Sequence, residues 1–377
     1  MDGLLYLDHA ASTPMRPAAV EAMTPFLTDC FANPSGSHRF ARTARQAVDE
    51  AREQVAAALG VLPGEVIFTG CGTESDNQAV TGSVAQRGGL AVTSAVEHHA
   101  VLDPVLASGG VAVGVDATGH VDIEELARVL RSSDAVSVVS VMTVNNEVGT
   151  MTDMVAVAEV VRREAPRAWL HTDAVQAACW IDLREVTPLV DMLSLSAHKF
   201  GGPKGVGVLV ARGGASPAPI IRGGGQERER RSGTSNVAGI VATAVALTET
   251  DTERKAEVER VGALRARLVQ SISSSVDAHE TVPGSACVPG VAHLCFEGIE
   301  NEALLFLLDT EGVCASAASA CASGAMEPSH VLAAMGVPRG IAGGALRLSL
   351  GHTSTEEEVD AAARAVVSSV ERLRGAG

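Results

Sequence analysis

The chain has 377 residues, long enough for roughly two or three domains, with 46% hydrophobic and 20% charged residues, the balance of a globular protein. Aromatic residues are only 3% and the formal net charge is −16, so the composition disfavours an aromatic platform for single-stranded nucleic acid and general binding to phosphate backbones or anionic lipid. No apolar run approaches the length of a membrane span and no secretory signal is visible. We therefore expect a cytoplasmic protein without nucleic-acid or membrane partners.

The predicted elements begin with an amphipathic helix over residues 38–60, where apolar residues recur at helical spacing. From Glu65 to Arg212, short β-branched runs alternate with helical segments, which is typical of a mostly parallel sheet covered on both faces. In such sheets ligands bind beyond the carboxyl ends of the strands. Strands are predicted at 66–68, 91–93, 111–115, 136–144, 169–172, 193–196 and 206–210, and helices at 76–87, 99–107, 122–132 and 154–165.

The pattern changes after this alternation. Residues 213–235 contain three consecutive glycines, four arginines and no hydrophobic period, and a structureless connection of this length is usually functional. A long helix over about 237–275 leads to a mixed region whose last helix begins with Thr355 and Glu358 at the spacing of a capping box. We predict an α/β protein with a large domain over 15–258 and a small α+β domain formed by 1–14 and 259–377.

The most informative segment is Ser196-Ala197-His198-Lys199, which ends an apolar strand and precedes a glycine-rich turn. A lysine at the carboxyl end of a strand, flanked by hydroxyl and imidazole groups, suits a Schiff base with an aldehyde cofactor beside its phosphate. Taken alone, the segment is explained equally well by a surface lysine that follows a strand.

Two other strand ends support the cofactor interpretation. Gly70 to Asn77 opens a helix with small and hydroxyl side chains, and the free N–H groups of such a helix start can cradle a phosphate. Asp173 ends a buried strand, where a carboxylate is costly unless it meets a cation such as a protonated pyridine nitrogen. A helix N-cap is the commoner alternative for Asp173. A near match to the dinucleotide fingerprint at 70–75 lacks its third glycine and is a weak signal.

Together these motifs resemble the cysteine desulfurases of the class V aminotransferase group, enzymes that depend on pyridoxal 5′-phosphate (PLP). The resemblance runs nearly end to end and implies the fold type I, aspartate-aminotransferase-like architecture and a homodimer whose active sites lie at the subunit interface. It is carried by the segments 6–14, 33–35, 73–77, 97–102, 145–149, 173–176, 196–199, 223–228, 231–234, 319–321, 327–329 and 346–351.

The resemblance assigns a role to each candidate residue. It implies that Lys199 binds PLP and moves protons at the substrate Cα, that His98 stacks on the pyridine ring and assists acid–base steps, and that Asp173 pairs with the ring nitrogen. Gln176 is expected to bond the phenolic oxygen. The phosphate is expected to be bound by Gly72, Thr73, Ser196 and His198 of one subunit, together with Thr234 of the partner subunit. The substrate carboxylate is expected to be bound by Arg347 and by Asn146, which also lies beside the cofactor.

The predicted function turns on Cys321, which lies in a run of small residues over 315–325. In the family, such a cysteine attacks the sulfur of PLP-bound L-cysteine as a thiolate and leaves alanine and an enzyme persulfide. The persulfide is then passed to an acceptor protein for iron–sulfur clusters, thionucleosides or another sulfur compound. A buried structural thiol is the alternative for Cys321, and Cys314, read as the end of a short strand, is its nearest rival.

Other functions and departures from the family pattern stay open at this point. A selenocysteine lyase or another β-eliminating class V enzyme, and a catalytically idle binding subunit, are the alternative functions. Cys71 stands beside the predicted phosphate loop where the family usually has a small non-thiol residue. The seven cysteines include no C-x-x-C pair, so we expect no metal. The chain lacks the longer C-terminal tail of some relatives, which argues against a standard scaffold-protein partner.

Overall fold

The computed structural model describes residues 4–317 and 329–375 of the chain. Its strands are β1 (Leu5–Tyr6), β2 (Val66–Thr69), β3 (Leu90–Ser94), β4 (Val111–Val113), β5 (Val136–Ser140), β6 (Trp169–Asp173), β7 (Met192–Ser196), β8 (Gly207–Ala211), β9 (His279–Glu280), β10 (Val291–Cys295), β11 (Val313–Cys314) and β12 (Ala345–Ser349). Its α-helices are α1 (Pro17–Leu27), α2 (Arg39–Leu59), α3 (Gly72–Arg87), α4 (His99–Ala107), α5 (Ile123–Ser132), α6 (Met154–Glu164), α7 (Leu183–Val186), α8 (Val237–Ser273), α9 (Asn301–Thr310), α10 (His330–Ala334), α11 (Arg339–Ala342) and α12 (Glu356–Gly375).

The central sheet has seven strands in the order β2-β8-β7-β6-β5-β3-β4. Strand β8 is antiparallel to both of its neighbours, and the other neighbouring pairs are parallel. Successive side chains alternate between two apolar clusters, with Val66 and Phe68 in one and Ile67 in the other, because adjacent residues of a strand face opposite sides. The predicted mostly parallel sheet, buried on both faces, is confirmed.

Two predicted helix boundaries are also confirmed by their caps. Helix α2 begins at Arg39, where the ring of His38 accepts the N–H of Ala41, and ends at Gly60 in the left-handed conformation, φ 66°. At the start of α12, the N–H of Glu358 donates to the hydroxyl of Thr355 at 3.2 Å, and the N–H of Thr355 donates to the Glu358 carboxylate at 2.9 Å. This reciprocal pair is the predicted capping box.

The C-terminal part of the chain builds its own apolar cluster, distinct from the two on the faces of the central sheet. Strands β12, β10 and β9 form a three-stranded antiparallel sheet, and β1 pairs in parallel with β11. Helix α8 joins this C-terminal cluster to the sheet cluster that contains Val66 and Phe68. Its residues Ile240 and Leu247 pack into the sheet cluster, and Leu264 and Leu268 pack into the C-terminal cluster. The division into domains at residues 14 and 258 stays a prediction.

Two segments differ from the sequence-based expectation. The strand predicted over 136–144 ends at Ser140. The chain then reverses in a turn at Asn145, whose side chain accepts the N–H groups of Glu147 and Val148, and Val144 pairs with Met151 across this turn. Within 213–235, three consecutive residues from Glu227 to Glu229 have positive φ, at 46°, 59° and 65°.

That second segment is held by a buried ion pair. The Glu227 carboxylate accepts two hydrogen bonds from the Arg52 guanidinium, both at 2.7 Å, and the backbone N–H of Phe68 at 3.0 Å. A segment without a hydrophobic period is thus fixed by polar contacts to α2 and β2.

None of the described helices is both long and apolar enough to cross a membrane.

Candidate active site

A cavity of about 420 Å³ opens where the carboxyl ends of β6 and β7 meet the start of α3 and strand β12. Its position follows from the topology, because the carboxyl ends of parallel strands lie at one edge of the sheet. Ten of the twelve predicted site residues line this one cavity: Gly72, Thr73, His98, Asn146, Asp173, Gln176, Ser196, His198, Lys199 and Arg347.

One end of the cavity is suited to an anion. Helix α3 begins at Gly72, and no side chain of the preceding residue, Cys71, caps its first backbone N–H groups. Free N–H groups at a helix start carry partial positive charge. His198 lies on the same side, and burial together with the positive charges of Lys199 and Lys204 lowers its pKa to about 4. At neutral pH His198 is therefore an uncharged hydrogen-bonding group.

The middle of the cavity combines a buried carboxylate with an imidazole. Asp173 is 4% exposed and accepts the N–H of Val175 at 2.8 Å. Burial raises the pKa of Asp173, and the positive charges of His98 and Lys199 oppose that shift. The Nδ1 atom of His98 accepts the N–H of Ala100 at 3.0 Å, so the proton of its neutral ring is on Nε2.

The amine of Lys199 is held at the rim of the sheet by backbone carbonyls. Its Nζ atom donates to the carbonyl oxygens of Ala10 at 2.5 Å and Ala11 at 3.0 Å. The side-chain amide of Gln176 donates to the same Ala10 oxygen at 2.7 Å. The backbone at Ala10 and Ala11, just before α1, therefore contacts both Lys199 and Gln176, although these two residues are far from it in the sequence.

The opposite end of the cavity is suited to a carboxylate. Arg347 is 4% exposed, and its guanidinium donates to the carbonyl of Asn146 at 2.8 Å and to the Asp8 carboxylate at 2.7 Å. Within the described residues, the buried Nε of Arg347 and the buried Oδ1 of Asn146 have no hydrogen-bond partner. Buried polar atoms without partners are rare, so both atoms mark a place where a polar ligand fits.

Sequence reasoning missed several residues of this site. Asp8 lies in the predicted N-terminal motif but was given no role, although a buried arginine needs a counter-charge. Asp76 is buried and lines the cavity, and Glu97 is buried and accepts the N–H of Met142, another lining residue, at 2.7 Å. Burial raises the pKa of Asp76 well above its ordinary value and that of Glu97 to about 8. No local pattern signals either side chain, since Asp76 lies inside a helix and Glu97 precedes one.

The two remaining predicted residues are Thr234 and Cys321. Thr234 is exposed and does not line the cavity. Cys321 lies outside the described residues. Among the residues that are described, no three His, Cys, Asp or Glu side chains are grouped so that they could hold a metal ion.

Comparison with known proteins decides the family. The family described as "Aminotransferase class-V" matches residues 5–362. The chain belongs to this family. Within the class V aminotransferases, it is 43% identical to the "IscS-like cysteine desulfurase" of Mycobacterium tuberculosis over 389 aligned positions, covering 99% of this chain and 98% of the relative. The resemblance to cysteine desulfurases inferred from the motifs is therefore confirmed.

Comparison with solved structures agrees with this assignment. A structure titled "NIFS-LIKE PROTEIN" superposes with a TM-score of 0.89 at 36% identity and covers 97% of this chain and 98% of its own. A second, "SspA in complex with cysteine", gives a TM-score of 0.80 at 31% identity and covers 92% and 98%. The predicted fold type I architecture is confirmed, and this chain is a cysteine desulfurase of the class V family.

Proposed function

We propose that this enzyme uses PLP to remove sulfur from L-cysteine, giving L-alanine and a persulfide on Cys321. The observation that carries the proposal is a single cavity in which an uncapped helix start, a buried carboxylate, a lysine amine and a buried guanidinium follow one another. A relative crystallised with cysteine supports L-cysteine as the substrate. The relatives named above carry the desulfurase name, so a selenocysteine lyase is not favoured.

The residues present fit PLP. Gly72, Thr73, Ser196 and His198 would hold its phosphate, because the start of α3 offers uncapped N–H groups and the His198 ring can donate from an N–H. Asp173 would pair with the pyridine nitrogen, and a cation at that place would offset the cost of burying this carboxylate. When bound, PLP supplies an electron sink for charge that develops on the substrate carbons.

The remaining side chains bind the substrate and move its protons. The planar guanidinium of Arg347, with its unpartnered Nε, would bind the substrate carboxylate, and the side-chain amide of Asn146 would donate to the same carboxylate through its NH2 group. The amine of Lys199 carries protons to and from the substrate Cα. His98 would donate from Nε2, since its Nδ1 is already engaged with Ala100.

The sulfur step belongs to Cys321. Its thiolate attacks the substrate sulfur, so that an S–S bond forms as the substrate's Cβ–S bond breaks. The electrons of the broken bond stay on Cβ, and a proton delivered there completes L-alanine. The persulfide then passes its outer sulfur to a thiol of an acceptor protein, and the Cys321 thiolate is restored.

Assembly and location complete the proposal. The enzyme is a homodimer in which Thr234 of the partner subunit reaches the phosphate, which accounts for a Thr234 that is exposed and away from its own chain's cavity. An acceptor protein, a cytoplasmic location and the absence of nucleic-acid or membrane partners stay predictions from the sequence.

The decisive experiment measures sulfide and alanine formed from L-cysteine with a thiol reductant, for the unaltered enzyme and for Cys321→Ala. Equal amounts of sulfide and alanine, lost in the variant while the absorbance of bound PLP is kept, are the expected result. Full activity of Cys321→Ala would contradict the assigned nucleophile. Bound PLP without turnover in the unaltered enzyme would contradict the assigned substrate.

A further inference from the structure

The residues on either side of the Cys321 segment are attached to the carboxylate-binding end of the cavity. On the N-terminal side, Ser316 exchanges two backbone hydrogen bonds with Arg347, of 2.7 Å and 3.2 Å. On the C-terminal side, the hydroxyl of Ser329 donates to the carboxylate of Glu147. Glu147 directly follows Asn146 in the chain, so both attachments lead to the residues proposed to bind the substrate carboxylate.

The bond between Ser329 and Glu147 is buried. Glu147 is 4% exposed and Ser329 is 6% exposed. The same Ser329 oxygen accepts the N–H groups of Val331 at 3.1 Å and Leu332 at 3.3 Å and so caps helix α10. A hydroxyl that accepts two hydrogen bonds and donates one to a carboxylate has a fixed orientation, and a buried hydrogen bond to a charged group is stronger than an exposed one.

The turn that carries Glu147 is itself rigid. The side chain of Asn145 accepts the N–H groups of Glu147 at 2.9 Å and Val148 at 3.0 Å, and it donates to the carbonyl of Val96 at 2.8 Å. The carbonyl of Asn146 accepts from the Arg347 guanidinium at 2.8 Å. A displacement of the Glu147 carboxylate is therefore resisted by contacts on both sides of Asn146.

We propose that Glu147 and Ser329 are positioning residues for sulfur transfer: their hydrogen bond fixes one end of the Cys321 segment relative to the bound substrate. The inference rests on the proposed function, because it assumes that Cys321 attacks the substrate sulfur. Twelve residues separate Ser316 from Ser329. Removing the Ser329 hydroxyl would take away one of the two described attachments that flank Cys321, and misplacement of a reacting group by about 1 Å can cost roughly 100-fold in rate.

The test separates substrate binding from sulfur transfer in the PLP-loaded dimer. Binding of L-cysteine is measured by absorbance titration in the Cys321→Ala background, and the alanine formed in the first turnover is measured with Cys321 present. We expect Ser329→Ala and Glu147→Leu to leave the dissociation constant within about twofold and to slow the first turnover at least about tenfold. Ser329→Thr keeps the hydroxyl and should restore most of the rate.

A matched control removes a different helix cap. Thr355→Ala takes away the N-terminal cap of α12, and we expect it to change neither quantity. A first turnover as fast in Ser329→Ala and Glu147→Leu as in the unaltered enzyme would overturn the proposal. Equal losses of binding and turnover would also overturn it, since Glu147 would then serve only the substrate site. If the unaltered enzyme forms no alanine, the proposed function fails first, and the inference fails with it.

Discussion

The buried pair of Arg52 and Glu227 allows a prediction that does not depend on any cofactor. Both side chains are nearly inaccessible, at 8% and 5%, and they are joined by two hydrogen bonds of 2.7 Å. In Glu227→Gln the guanidinium stays buried with only the carbonyl of Val66, at 2.9 Å, as a full acceptor. Breaking a buried pair by removing one partner costs about 3–5 kcal/mol, and because glutamine still accepts one bond we expect about 3 kcal/mol.

A double-mutant cycle tests this magnitude. Arg52→Met alone strands the Glu227 carboxylate and should cost a similar amount, whereas the double variant buries no uncompensated charge. We therefore expect the double variant to be more stable than the sum of the single losses by about 2 kcal/mol. Urea midpoints of the four proteins give these differences. Asp360→Asn is the control, because its pair with Arg267 is exposed to solvent and should contribute little to stability.

Two results would refute the reasoning. If Glu227→Gln costs no more than Asp360→Asn, the burial of the carboxylate does not strengthen its interaction. If the losses of the single variants simply add, the two side chains do not depend on each other, and the segment around Glu227 is held by other contacts.

Three further predictions concern backbone conformation, titration and catalysis. Glu229→Gly should raise the free energy of unfolding by about 0.5–1 kcal/mol, because relief of a left-handed residue at φ 65° exceeds the added entropy of the unfolded chain; urea midpoints measure it. Glu97 holds its proton to a pKa of about 8 when folded and releases it near its ordinary value of 4.5 when unfolded, so its contribution to stability is lost as pH rises between these values. Glu97→Gln should flatten that decline in urea midpoints taken across this range. Asp173→Asn should lower the rate of alanine formation at least about 100-fold, since the pyridine nitrogen proposed to bind beside Asp173 would lose its buried counter-charge.

Each of these has a clear contrary result. Unchanged or lower stability of Glu229→Gly would mean that its side chain contributes more than the strain costs. A parallel pH dependence in Glu97→Gln and the unaltered protein would show that Glu97 ionises normally. Alanine formation in Asp173→Asn within about threefold of the unaltered rate would exclude the pairing of this carboxylate with a cationic ring.

The part of the site that local sequence predicts is the part built at strand ends. Ser196 to Lys199, Asp173 and Gly72 each follow a buried apolar run, and topology alone brings such positions to one edge of the sheet. The resemblance supplied Arg347 and Asn146, which no periodicity would have placed together. The observed cavity is lined both by the strand-end residues and by Arg347 and Asn146.

The residues that could not be predicted have partners far away along the chain. Asp8 contacts Arg347 across 339 positions, and Glu147 contacts Ser329 across 182. Such pairs depend on how whole elements pack, which a local pattern does not encode. The strand predicted to reach residue 144 shows the same limit, because Val141, Met142 and Val144 continue the apolar pattern but the side chain of Asn145 stabilises a turn just after them.

Helix α8 has a consequence for how the enzyme moves. Its 37 residues form one continuous helix roughly 55 Å long, which packs into the sheet cluster at its N-terminal half and into the C-terminal cluster at its C-terminal half. Asp173 on β6 and Arg347 on β12 both line the cavity. A hinge motion that changed the distance between Asp173 and Arg347 would have to bend or break helix α8. The distance between Asp173 and Arg347 is thus constrained by one continuous helix that packs against both parts of the chain.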